Sequence, residues 1–420
     1  MNYKQSLRWL NAILVLAMVG AGCGRSSDQG SFVRPAGTIT LSNFQAAAVV
    51  IGQPDFTHGD SNQGGSAAAN TIDSPYGSAA VGSLFVPDYS NNRVLGFNSV
   101  PTSNDASADF VLGQPDFATT ASGDLANQMD GPETAVVDGG KLIVDEYGNS
   151  RILIWNSKPS TTQAPADVVV GQPGFGSSAA ACTQTGVDSP ESVAVAGGKL
   201  IVPDSHNNRV LIWNTIPTTN GTPADLVLGQ NDFTTCVNNN DGSGSSGSPS
   251  AANLDYPSGA WSDGTRLVIV DSDNARVLIW KTFPTSNFQA ADIVLGQNDF
   301  TCNVSDNDGT CASGSPSANN MNYPYIGVFS NGTQLFVTDD SNHRVMIWDT
   351  FPTTNFQAAN VVLGQNDFTC DVSDNDGSGT CTSGSPSAQN LDAPDGVVQS
   401  GNQLIVTDRD NNRFLVYNGQ

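Results

Sequence analysis

Residues 266–297 read RLVIVDSDNARVLIWKTFPTSNFQAADIVLGQ. The first run, RLVIV at 266–270, alternates and is rich in β-branched residues. A polar turn, DSDN at 271–274, separates it from RVLIW at 276–280, and DIVLGQ at 292–297 follows a Pro-Thr loop. With the short run at 259–261 behind Pro257, these are four stretches of about 4–6 residues between Gly, Asn, Asp, Ser and Pro clusters. That pattern predicts four antiparallel strands, A to D. Nothing in the rest of the chain carries a convincing helical period.

The unit repeats. Strand B returns as SLFVP (83–87), KLIVD (141–145), KLIVP (199–203), QLFVT (334–338) and QLIVT (403–407). Strand C returns as RVLGF (93–97), RILIW (151–155), RVLIW (209–213), RVMIW (344–348) and RFLVY (413–417). The closing Gly-Gln recurs at Gly52, Gly113, Gly171, Gly229, Gly296 and Gly364, at spacings of 58 to 68 residues. Such a unit cannot bury its own apolar face and needs neighbours. Four-stranded units repeated radially make a β-propeller, so the expected fold is all-β, a closed six-bladed propeller over residues 41–420. The segment at 41–47, LSNFQAA, copies the C-to-D connection TSNFQAA at 285–291 and leads into a strand D without A, B or C. The C-terminus stops after a strand C. The N-terminal strand is therefore expected to complete the sixth blade, which removes two exposed sheet edges.

The B–turn–C segments DDSNHRV (339–345) and DSHNNRV (204–210), with the Pro-x-Gly entries at 75–77 and 394–396, resemble the NHL repeat. The resemblance covers essentially residues 41–418. It implies a ligand-binding propeller, since NHL-type propellers mostly bind proteins, peptides or RNA. A few relatives are hydrolases or lyases with a metal in the channel, so the fold leaves function open.

Residues 1–22 have a positive start, Lys4 and Arg8, and an apolar core, as a secretion leader does. The tetrad Gly20-Ala21-Gly22-Cys23 resembles a bacterial lipobox, with Cys23 as the lipidated residue and 23–40 as a flexible tether. This places the chain in the bacterial cell envelope, lipid-anchored or secreted, touching membrane only through the anchor. Six cysteines remain. Cys302 and Cys311 bracket one D-to-A loop, and Cys370 and Cys381 bracket the equivalent loop of the next unit. Both read as local disulfides of an oxidising compartment. Cys182 and Cys236 lie in loops of adjacent units and could pair, although spacing does not prove connectivity.

The net charge is −24, and more negative once Lys4 and Arg8 leave with the leader. That excludes nucleic acid as a partner, because phosphate binding needs clustered Lys and Arg. A monomeric propeller that takes a protein, peptide or polysaccharide ligand is the first expectation.

Comparison between units separates scaffold from site. The turn acid of each unit and the Arg five residues later (Asp204 and Arg209, for example) recur in all six, as does an Asx residue two before the strand-A proline. These read as scaffold, as do the strand-C aromatics. The residue after that proline instead varies: Tyr76, Glu133, Glu191, Ser258, Tyr325 and Asp395. Since strand A is innermost, this position is expected to ring the channel mouth, where three carboxyls and two phenols could hold a cation, an amine or a sugar. The competing expectation is a solvated polar rim. A second candidate is calcium at Asp306, Asp308, Asp374 and Asp376, in the two Asp-Asn-Asp-Gly loops, although the EF-hand spacing is incomplete. The alternative function is thus a calcium-dependent hydrolase or lyase with carboxylates at the mouth. His58, His206 and His343 fall outside strand A, and no nucleophile elbow or phosphate loop occurs.

Overall fold

A computed structural model describes residues 37–77 and 82–420. The expected leader at 1–22, Cys23 and most of the tether lie outside the described residues. Strand β1 (Val49–Ile51) precedes the first blade, which comprises β2 (Leu84–Asp88), β3 (Arg93–Phe97) and β4 (Phe110–Leu112). Blade two is β5 (Pro132–Asp138), β6 (Lys141–Glu146), β7 (Arg151–Trp155) and β8 (Val168–Val170). Blade three is β9 (Ala194–Ala196), β10 (Lys199–Asp204), β11 (Arg209–Trp213) and β12 (Leu226–Leu228). Blade four is β13 (Pro257–Ser262), β14 (Leu267–Asp271), β15 (Arg276–Trp280) and β16 (Ile293–Leu295). Blade five is β17 (Pro324–Ser330), β18 (Leu335–Asp339), β19 (Arg344–Trp348) and β20 (Val361–Leu363). Blade six holds β21 (Pro394–Ser400), β22 (Gln403–Asp408) and β23 (Arg413–Asn418). Neighbours pair antiparallel throughout, and the sixth sheet runs β1-β23-β22-β21 with Val49 opposite Val416. The fold is a six-bladed β-propeller, and its only helical pieces among the described residues are short 3-10 turns.

The apolar core lies between blades rather than within them. One cluster joins Val86, Leu95 and Val111 of blade one to Ile405, Phe414 and Val416 of blade six. Another joins Ile201 and Ile212 of blade three to Ile269 and Leu278 of blade four. Inner strands approach closely at the Pro-x-Gly entry, which explains its glycine. A Cβ on Gly259 would sit 2.2 Å from the Ile326 carbonyl oxygen, and one on Gly396 would sit 2.3 Å from that of Gly77.

The recurrent Asp–Arg pairs are buried hubs. Arg209 donates to Asp204 at 2.6 Å and Arg276 to Asp271 at 2.7 Å, with side chains fully buried. Asp204 also accepts the Asp188 amide at 2.6 Å, which ties strand B to the entry of strand A. The remaining guanidinium protons go to loop carbonyls, as in Arg276 to Phe300, Ser250 and Asn253. Such a pair is satisfied on all sides, which is the condition for burying charge. The Gly-Gln ends have an equally local cause. Gly229 sits at φ +82°, and the Gln230 side chain donates to the Asn208 and Val237 carbonyls, stitching strand D to the turn and the following loop.

Three disulfides, Cys182–Cys236, Cys302–Cys311 and Cys370–Cys381, join the pairs that the spacing pointed to. Bonds of this kind persist in oxidising, extracytoplasmic compartments. The packed fold begins slightly ahead of residue 41. Ile39 is buried, and its amide donates to Gln334 in the A–B hairpin of blade five.

Candidate functional site

At the entry to strand A the ladder slips. Register shifts fall between Pro132 and Ala135, Pro257 and Gly259, Pro324 and Val328, and Pro394 and Gly396. Bulges of this sort re-aim side chains, and the residue after each proline sits inside one. Register shifts are thus seen at four of the six entries, and the six candidates lie below the surface rather than on a solvated rim. Glu191, Ser258 and Asp395 are fully buried, Glu133 and Tyr325 nearly so, and Tyr76 half-buried. Tyr325 of blade five reaches across the channel, its ring centroid 6.4 Å from Tyr76 of blade one. It lies beside Glu191, Glu133 and Asp395 and forms with them the floor of a dish-like cluster.

The wall of the dish is aromatic. Tyr256 and His206 lie 5.6 Å apart between centroids, His206 and Tyr147 5.6 Å, Tyr147 and Tyr89 6.3 Å, and Tyr89 and Tyr76 4.6 Å. Tyr323 stacks on Tyr325 at 5.4 Å. Six of the eight tyrosines of the chain are in this belt. At blade six the belt is interrupted by Arg409. Its guanidinium lies 5.1 Å from the Tyr76 centroid and pairs with Asp395 at 3.0 Å, Asp340 at 3.3 Å and Asp410 at 2.9 Å.

Below the wall lie the acids. The Tyr256 hydroxyl donates to Glu191 Oε1, and the Thr134 hydroxyl and amide donate to Asp145 Oδ1. Desolvation pushes Glu191 up to about 8 and Asp145 up to about 7. Glu133 is raised well above the usual carboxyl range by desolvation and then by Glu191, Asp145 and Asp395, and Asp395 is raised by its burial despite Arg409. Burial thus favours the protonated form of the floor carboxyls over the charged one.

The one variable position read from the sequence supplies the buried residues of this cluster, and the surrounding aromatics come from other positions. Tyr89 and Tyr147 follow the turn acid of strand B, His206 lies one residue further along that turn, and Tyr256 and Tyr323 precede the strand-A proline. Those positions vary between units as strongly as the one that was read, and comparing them would have found the belt. Asp145 was also missed, at a strand-B position where other blades carry Pro, Val or Thr.

The Asp-rich loops are arranged differently. Asp306 and Asp374 are buried and accept from Asn342 at 3.0 Å and Asn411 at 2.9 Å, and burial raises both to about 6. Asp308 and Asp376 face outward and accept the amides of Thr310 and Ser378, both at 2.8 Å. Each loop thus splits its two acids between the turn below and its own backbone. Among the described residues, the one convergent His, Cys, Asp or Glu trio is Asp299 with Cys302 and Cys311, and its sulfurs are in a disulfide. Two surface clefts, one at Gln172 and Pro173 and one between Lys199 and Phe283, contain none of the mouth residues.

No protein-family model matches the chain. No curated protein matches it either. Among solved structures, a gluconolactonase from Xanthomonas campestris is similar at 12% identity and a TM-score of 0.44, covering 92% of this chain and 99% of the other.

Proposed function

We propose that this chain is a non-catalytic binding propeller of NHL type, held outside the cytoplasm, whose channel mouth takes a saccharide. The aromatic belt carries this reading. Half-buried phenol rings offer flat apolar faces to the C–H surface of a sugar, while their hydroxyls and the carboxyl groups beneath can bond its hydroxyls. A protein partner has less support. Among the described residues the one large hydrophobic side chain that is well exposed is Leu125, whereas protein interfaces are built on buried apolar anchors. The direct test is titration of soluble oligosaccharides into the chain and its Tyr147→Ala variant. Saturable binding weakened at least tenfold in the variant supports the reading. Absence of any binding, or equal binding by the variant, contradicts it.

Anchoring through Cys23 fits the lipobox-like tetrad and the disulfides. Gly37 is met by Asn331 in the A–B hairpin of blade five and by Gln399 near the end of β21, away from the strand-A entries. A tether entering there would leave the dish facing outward. Cys23→Ser should move the protein from the membrane to the soluble fraction.

A second reading is a hydrolase or lyase in which protonated Glu191 acts as general acid, for which its raised pKa is suited. Calcium at the floor carboxyls or in the Asp-rich loops belongs to this reading. Turnover of a sugar ester or glycoside that is abolished in Glu191→Gln would establish it.

A further inference from the structure

The floor acids are not fully matched by the protein. Glu133 Oε2, Asp145 Oδ2 and Glu191 Oε2 are buried and meet no hydrogen-bond donor among the described residues. Burying a carboxyl oxygen without a partner is costly, and more so when it is charged. A cationic ligand would relieve that cost, and two features indicate what kind of cation. Metal binding requires oxygens that converge, yet these carboxyls are absent from the one convergent trio among the described residues. An ammonium is larger, donates in three separate directions and is attracted to aromatic faces. The dish supplies that surrounding, and one cation already uses it: the Arg409 guanidinium sits over Tyr76 among carboxylates.

We infer that the mouth selects a saccharide bearing a free protonated amine, with the amine over the Glu133 and Glu191 carboxyls and the sugar rings against Tyr147, Tyr89 and Tyr256. This deepens the saccharide reading and rests on it. Binding would draw the floor acids towards their charged forms, so the amine would also displace protons from the site.

The test uses the full chain and three β-1,4-linked tetramers sharing one backbone, of glucose, glucosamine and N-acetylglucosamine, titrated calorimetrically at pH 6.5. The glucosamine tetramer is expected to bind at least tenfold more tightly than the other two, with proton release that varies with buffer ionisation enthalpy. In Glu133→Gln with Glu191→Gln the ratio should fall to near one. The Gln side chains conserve volume, and single Glu133→Gln serves if the double variant does not fold. Equal affinity for all three tetramers would overturn the amine inference and leave the saccharide reading intact. Failure of all three to bind would overturn both. Saturable calcium binding that competes with the amine and is lost in the double variant would assign the floor to a metal and overturn the inference.

Discussion

At the scale of single residues, the propeller keeps two kinds of buried charge. In the hubs, each carboxylate meets an arginine, an amide and an asparagine, so no hub carboxylate is left without partners. Asp204→Asn would leave the Arg209 guanidinium buried without its counter-charge. The expected loss is roughly 3–5 kcal/mol, measurable by urea unfolding, and Tyr147→Ala in the half-buried belt should cost far less. Desolvation raises the acids in both places, but at the mouth Glu133 Oε2 and Glu191 Oε2 meet no partner among the described residues. The folded form holds a proton on Glu191 up to about 8, whereas the unfolded chain releases it near the ordinary value for Glu. Stability is therefore expected to fall as pH rises from about 4.5 towards 8, by about 1.4 kcal/mol per pH unit for each such group. Glu191→Gln should flatten that slope in urea melts, with its stabilising effect greatest at pH 8. An unchanged slope would show that Glu191 ionises normally.

At the scale of elements, the repeat explains itself from local rules. Alternating runs, turn residues and the Gly-Gln ends were legible because each unit must solve the same problem of pairing B with C and covering D. The scaffold role of Asp204 and Arg209 was legible for the same reason, since a residue needed by every blade recurs. The depth of the candidate ring was not legible. It depends on bulges after the prolines and on Tyr325 crossing the channel, and neither leaves a periodic trace. The belt needed residues from two different loops to meet in space. The disulfides also act at this scale. Cys182–Cys236 spans 54 residues and staples two blades, while the other two close 9 and 11 residues within single loops. Loop-closure entropy then predicts a loss of roughly 4 kcal/mol for Cys182→Ser with Cys236→Ser. Serine replacement of either local pair should cost less, and a larger loss there would contradict the entropic view.

At the scale of the whole molecule, a strongly acidic propeller places six of its arginines in the hubs and Arg409 in the aromatic belt. The far side carries the A–B hairpins, where residues 37–39 dock. The aromatic belt and the docked residues 37–39 therefore lie at opposite ends of the strands. The dish is the central claim, and the tyrosine distribution allows a direct measurement. The chain labelled with 13C in its tyrosine rings would be titrated with the glucosamine tetramer and followed by NMR. The expected result is saturable movement of the signals of Tyr76, Tyr89, Tyr147, Tyr256, Tyr323 and Tyr325, with Tyr417, buried in a blade, unmoved. Unmoved belt signals, whether binding is absent or occurs at another surface, would contradict the assignment of the mouth as the ligand site.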